Sequence, residues 1–231
     1  MGVNTKSINF AQASSQYLSI LNVDQTGLNI TSSDYTIEYW IKTTDTANYT
    51  IAMNDGATAN GYATGMGIAG AAAGDLAVFA GGGWYDSNVS LNSGDWIHVA
   101  VVRDGSNLDL YIDGSYSKQL TTTVSNNNSY SGTRYIGGIG PNYLNGNLDE
   151  VRIWNVARNA GEISANYNKE IAGSESGLVL YLRFNDSLLD ETSNNNDFTN
   201  NNGATYSTDV PFVGGDEAVT PQSNLLLMGA G

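Results

Sequence analysis

The 231-residue chain contains no cysteine. That absence excludes disulfides, thiolate metal sites and cysteine nucleophiles together. Its one histidine, His98, rules out multi-histidine metal centres. Basic residues are scarce: 9 Lys and Arg stand against 23 Asp and Glu, for a net charge of −14. Such a field repels phosphate backbones and anionic lipid surfaces, so no nucleic-acid partner is expected. It is compatible with divalent cations and neutral sugars. No run reaches the ~18 consecutive apolar residues of a transmembrane helix, and no membrane insertion is expected. Residues 1–6 are polar and lack the apolar stretch of a secretion leader. The protein is expected either to have lost a leader or to reach its site without one.

What is present is a succession of short alternating stretches separated by Gly, Asn, Asp and Ser. Ile37, Tyr39 and Ile41 fall on one face of residues 35–42. Ile97, Val99 and Val101 do the same in residues 96–103, and Leu108, Leu110 and Ile112 in residues 108–113. Asp104-Gly105 between these two stretches predicts a hairpin, because glycine accepts positive φ. Further strands are predicted at 7–10, 16–20, 66–68, 76–80, 133–137, 148–154 and 178–184. One short helix is predicted near residue 160: Asn159 precedes Glu162 by a capping-box interval, and Ile163 and Tyr167 lie one turn apart. The 41% hydrophobic content suffices for a core without staples.

Several of these stretches, in their order, resemble the laminin-G-like, concanavalin A-like jelly-roll domains. They are Phe10 with Tyr17-Leu18-Ser19-Ile20; Tyr35-Thr36-Ile37-Glu38-Tyr39-Trp40-Ile41-Lys42; Trp96-Ile97-His98-Val99-Ala100-Val101-Val102; Leu108-Asp109-Leu110-Tyr111-Ile112-Asp113-Gly114; and Leu148-Asp149-Glu150-Val151-Arg152-Ile153-Trp154. The segment 177–184, followed by Asp190 and Ser193-Asn194, is similar too. The resemblance spans roughly residues 5–207. It implies an all-β fold, a concanavalin A-like jelly-roll sandwich of two antiparallel sheets, here with one short helix. The domain is expected over residues 1–213, with 214–231 as a linker and tail ending in the apolar run Leu225-Leu226-Leu227-Met228.

Members of the family with glucanase activity place carboxylates on one strand as E-x-D-x-x-E, and this chain has no such stretch. No enzyme activity is expected. Asp149 and Glu150 are adjacent, and simple alternation would point them to opposite faces. The resemblance does imply a structural Ca²⁺ site, with Asp149 as its one named ligand. Calcium accepts mixed carboxylate and carbonyl shells. This chain has Ala11-Gln12 where many relatives carry Asp-Gly, which departs from the pattern.

Four aromatics fall in turn-like surroundings and are the candidate ligand-binding residues: Tyr62, Trp84, Tyr85 and Tyr143. Exposed rings stack on the C–H faces of sugars, and a cluster on one rim would form a site. Trp40, Trp96 and Trp154 lie in predicted strands and are assigned to the core, and His98 to a packed strand position. The functional expectation is a non-catalytic structural or adhesive component of a larger assembly, such as a virion decoration, fibre or capsid-associated protein. Its tail would dock on other subunits, at an extracellular or virion surface. The alternative is a carbohydrate-binding module or lectin with glycan partners.

Overall fold

The computed structural model describes residues 3–30, 33–46, 50–54, 61–68, 70–125 and 132–213. The tail at 214–231 lies outside the described residues, as does its docking run. Two large antiparallel sheets face each other. The eight-stranded sheet holds β1 (Ser7–Phe10), β3 (Tyr35–Thr43), β8 (Trp96–Asp104), β9 (Asn107–Ile112), β10 (Ser115–Thr121), β14 (Gly146–Trp154), β15 (Leu178–Leu182) and β17 (Thr205–Ser207). The seven-stranded sheet holds β2 (Tyr17–Ile20), β4 (Thr50–Asn54), β5 (Tyr62–Met66), β6 (Asp75–Ala80), β7 (Gly83–Ser90), β11 (Arg134–Ile136) and β16 (Thr199–Asn201). A two-stranded hairpin, β12 (Gly138–Ile139) and β13 (Asn142–Tyr143), completes the β structure. The all-β concanavalin-type sandwich expected from the strand motifs is therefore what the chain forms.

Alternation explains the core. Ile37, Tyr39 and Ile41 of β3 point inward beside Val99 and Val101 of β8 and Leu108 and Leu110 of β9, and all are buried. From the opposite sheet Leu18, Ile20, Val78 and Ile136 enter the same core. The predicted hairpin joins β8 and β9, with Gly105 at φ 58° in its turn.

The other face of the eight-stranded sheet is also largely covered. The helix α1 (Ala160–Asn166) begins at Asn159, whose side chain accepts from the Glu162 amide while Glu162 accepts from the Asn159 amide. This is the capping box read from the sequence. Ile163 of the helix packs on Ala100, Val102 and Tyr111. Beneath the covering segment lies a layer of charge. Glu38 pairs with Arg158 at 2.8 Å, and Glu150 with Arg152 at 2.5 Å. The Tyr181 hydroxyl donates to Glu150 at 2.6 Å. His98 is buried there, edge-on to the rings of Trp40 and Tyr167. Trp40 and Trp154 are buried as expected. Trp96 is not: it is half-buried at the sheet end, where its indole N–H donates to Asp209 at 2.8 Å.

The Asn-rich stretch near 195 is structural. Asn196 is fully buried, and its amide bridges Thr26 to Val179 through both backbone carbonyls. Asp190 fixes this loop by accepting from the amides of Tyr181, Thr192 and Asn196.

Candidate functional site

The seven-stranded sheet has an outer face, and three tyrosines gather on it. In β2, Leu18 and Ile20 are committed to the core, so Tyr17 and Ser19 must face outward. In β11, Ile136 and the buried Arg134 point inward, leaving Tyr135 outside, directly across from Ser19. Tyr143 arrives from β13. Its ring stacks on Tyr17 at 6.0 Å between centroids and 30° between planes, and Tyr135 meets Tyr17 at 5.9 Å and 51°. All three rings are half-buried, and among the described residues their hydroxyls make no hydrogen bond. They offer apolar faces with unengaged polar tips.

Glycines make the placement of Tyr143 possible. Gly137 lies at φ 82°, and a Cβ there would stand 2.4 Å from the Phe10 ring. Gly138 lies at φ 137°, where a Cβ would meet the Asn142 carbonyl at 2.5 Å. No other residue fits at these two positions without a shift of backbone or core. The chain can therefore fold back tightly and lay β13 over the sheet, with the Leu144 amide donating to the Gly137 carbonyl at 2.8 Å.

The four aromatics singled out from the sequence do not form one cluster. Tyr143 belongs to the tyrosine group. Tyr62 is a correction: it lies within β5, is 1% exposed, and packs in the core at 6.0 Å from the Tyr35 ring. Trp84 and Tyr85 are a second correction, because they occupy a strand and not a loop. Gly81 and Gly82, both at positive φ, make the turn by themselves, and β7 begins at Gly83. Alternation then separates the pair. Tyr85 pairs across from Val78 and packs against the main core. Trp84 faces outward but lies on Phe79 at 5.3 Å and closes a small apolar cluster with Ile68, Ala71, Ala77 and Ile139. Four strand steps at about 4.8 Å each put it ~19 Å from Tyr135 along the sheet.

Asp149 and Glu150 depart from simple alternation. The register of β14 against β3 shifts between Asp149 and Arg152, and Glu150 adopts φ 50°. This bulge turns both carboxyls toward the same buried layer. Asp149 is fully buried: one oxygen accepts from the Asn4 side-chain amide at 2.8 Å, the other from the Glu150 backbone at 2.9 Å. Burial, followed by the charge of Glu150, pushes its carboxyl well above the ordinary range. The Asn4 amide oxygen and one Glu150 oxygen are buried without partners. Among the described residues no three His, Cys, Asp or Glu side chains come together as a metal cluster.

A family model described as the concanavalin A-like lectin/glucanases superfamily matches residues 12–164. The chain belongs to the concanavalin A-like lectin/glucanase superfamily, which bears out the resemblance drawn from its strand motifs. Among solved structures it is similar to a candidate carbohydrate-binding protein from Bacteroides ovatus, at 23% identity and a TM-score of 0.70. That match covers 91% of this chain and 62% of the Bacteroides protein, so the chain spans less than two thirds of it. It is also similar to the heptameric SAP-like pentraxin of Limulus polyphemus, at 15% identity and a TM-score of 0.60, covering 88% of this chain and 94% of the pentraxin. A search of curated proteins returned no match. Among the described residues no helix is long and apolar enough to cross a membrane.

Proposed function

We propose that the chain is a non-catalytic carbohydrate-binding domain acting outside the cell, and that Tyr17, Tyr135 and Tyr143 form its sugar-stacking surface. One observation carries this reading: three half-buried rings with unengaged hydroxyls lie side by side on an open sheet face. Each ring can receive the apolar face of a sugar while its hydroxyl exchanges hydrogen bonds with the ring substituents. No Lys or Arg joins the group, and the net charge of −14 opposes acidic polymers, so the ligand is a neutral glycan. The Bacteroides relative adds support through its own carbohydrate-binding description. The rival reading, a subunit of a virion or other surface assembly, draws on the acidic, cysteine-free composition and on the tail at 214–231, and the relatives above do not favour it.

Affinity electrophoresis or calorimetry against neutral glucans, arabinans and xylans tests the proposal. Tyr17→Ala and Tyr135→Ala should each weaken the bound polymer by about 30-fold, the equivalent of ~2 kcal/mol for a hot-spot aromatic. Trp84→Ala should weaken it far less, because that ring touches no tyrosine of the group and meets their hairpin only through the cluster it shares with Ile139. Unchanged affinity in both tyrosine variants rejects the surface.

A structural Ca²⁺ beside Asp149 belongs to the same proposal. The unpartnered Asn4 amide oxygen and Glu150 oxygen are of the kind a hard cation takes, and a divalent charge would oppose the burial and the Glu150 charge that raise the Asp149 carboxyl. Calcium at a hundredfold excess over its Kd should add ~2.7 kcal/mol and raise the melting temperature. The comparison is a melt in calcium against one in chelator, for the unmodified chain and for Asp149→Ala. Identical melts of the unmodified chain in the two buffers dismiss the ion.

A further inference from the structure

A polar cleft opens at the opposite side of the sandwich, on the outer face of the eight-stranded sheet. Strand pairing aligns Asn9, Asn147, Lys42 and Trp96 in one row across β1, β14, β3 and β8. Asp209, just beyond β17, crosses this row. It pairs with Lys42 at 2.6 Å and accepts from the Trp96 indole at 2.8 Å. A chain of hydrogen bonds fixes the rest: Asn9 donates to Asn147 at 2.6 Å, Asn147 to the Ser7 hydroxyl at 3.0 Å, and Ser7 to the Asp209 carbonyl at 2.6 Å. The open cleft has a volume of about 270 Å³ and is lined by Asn9, Phe10, Lys42, Thr44, Asn145 and Asp209 among others.

Its walls are kept apart by glycine. At Gly146 a Cβ would stand 2.5 Å from the Lys42 carbonyl, and at Gly94 one would stand 3.1 Å from the Thr44 methyl. Side chains at these positions would press on the two walls. The groups that remain free are of mixed type. The Asn9 amide oxygen, the Asn145 amide, the Thr44 hydroxyl and the remaining Lys42 N–H bonds make no hydrogen bond among the described residues. Donors and acceptors therefore stand together. Lys42 and Asp209 cancel in charge, and the site attracts neither an anion nor a cation strongly.

We propose that this cleft is a second ligand site, and that it takes a single neutral sugar ring. The inference rests on the reading of the chain as a glycan-binding domain, though it concerns different residues on the opposite sheet. Each sugar hydroxyl both donates and accepts, which is what a wall of amide, hydroxyl and ammonium groups complements. The volume lies just below the ~300–1,000 Å³ of pockets for drug-sized ligands, which suits one sugar ring. The Lys42–Asp209 pair and the Asn9–Asn147 bond hold the recognising groups in place before binding, so little ordering is left to oppose it.

The test is a titration of the full chain with neutral monosaccharides, including glucose, galactose, mannose and arabinose, followed by amide NMR. Saturable shifts are expected at residues 9–11, 42–44, 94, 145–147 and 209 for at least one sugar. A dissociation constant on the order of millimolar corresponds to about −4 kcal/mol, reasonable for one ring. Asn9→Ala and Lys42→Met should each weaken that binding at least tenfold. Thr44→Val, at an exposed position, provides a variant unable to disturb the core, and it should weaken binding severalfold. The dispersed spectrum of each variant establishes that it is folded. No saturable shift in the cleft with any sugar overturns the inference, and so does full affinity in all three variants. The polymer assay with Tyr135→Ala reports separately on the tyrosine surface. Polymer binding lost in Tyr135→Ala, with no monosaccharide in the cleft, therefore retains the proposed function and discards the second site.

Discussion

Replacing Arg158 with methionine is expected to cost about 3–5 kcal/mol of stability, the usual consequence of stripping the partner from a buried charge. Arg158 donates to Glu38 at 2.8 Å and to the Glu162 carbonyl in the first turn of α1 at 3.0 Å, and lies over the Trp154 ring at 4.0 Å. Glu38 is fully buried. Its second oxygen has only the His98 imidazole, at 3.5 Å, the outer edge of hydrogen-bond distance. Without Arg158 the carboxylate would remain in the sheet's covered face with its closest charged partner gone, and only the His98 imidazole and the Arg152 charge left to act on it. Removing both charges is a different perturbation. Glu38→Leu combined with Arg158→Met fills the same space with apolar atoms and should recover most of the loss. Urea unfolding of the three proteins measures this. A single variant that loses less than ~1 kcal/mol, or a double variant worse than the single, contradicts the account.

Acid should loosen the same layer. Burial alone would raise the Glu38 carboxyl, but the His98 hydrogen bond and charge and the charges of Arg152 and Arg158 outweigh it and hold the group at about 2, down from 4.5. The His98 share acts only while the imidazole is protonated, whereas the arginines act throughout. His98 itself is pushed below its ordinary 6.5, first by burial. The unfolded chain therefore takes up the imidazole proton below pH 6.5 and the folded chain resists it. Then, as pH falls from 4.5 toward 2, the unfolded Glu38 protonates before the folded one. Both effects have the same sign: stability is present at neutral pH and is lost as pH falls. The Glu38 part is at most about 3 kcal/mol, reached in full only while His98 is protonated. Asp149 and Glu150, both raised by burial, titrate in the opposite sense. The difference between the unmodified chain and the Glu38→Leu/Arg158→Met variant reports the coupled Glu38 and His98 part. Parallel stability curves for the two proteins from pH 5 to 2 would refute it.

The strands were readable because most carry period-2 alternation, and the helix because Asn159 and Glu162 sit at a capping interval. Reading failed where glycine or a bulge separates local composition from local geometry. Tyr62 follows Gly61, and Trp84 and Tyr85 follow three glycines, so all three resembled loop aromatics. Two glycines suffice for the turn, and the residues after them are strand. Simple alternation puts Glu150 on the face opposite Asp149, because the bulge in β14 has no marker in composition. Tyr17 and Tyr135 look like ordinary strand residues, yet the pattern contains a signal: Leu18 and Ile20 inside force Tyr17 outside. Tyr135 was harder, since its inward neighbour Arg134 is charged and reads as a surface residue. Asp209 joins Lys42 across 167 positions of sequence, a distance at which no local pattern can point.

The crossing of Asp209 over the eight-stranded sheet also sets a direction. After it, Phe212 packs edge-on to the Trp40 ring at 6.2 Å, and the next residue, Val213, stands exposed. The tyrosines occupy the other side of the sandwich. A partner fused after Val213 is thus tethered from behind, with two sheets between the anchor and the sugar-facing rings. Mounted this way, the domain presents its aromatic face outward to a polymer, and an immobilised form coupled through this end should keep its ligand access where one coupled through the β12–β13 hairpin would be shaded.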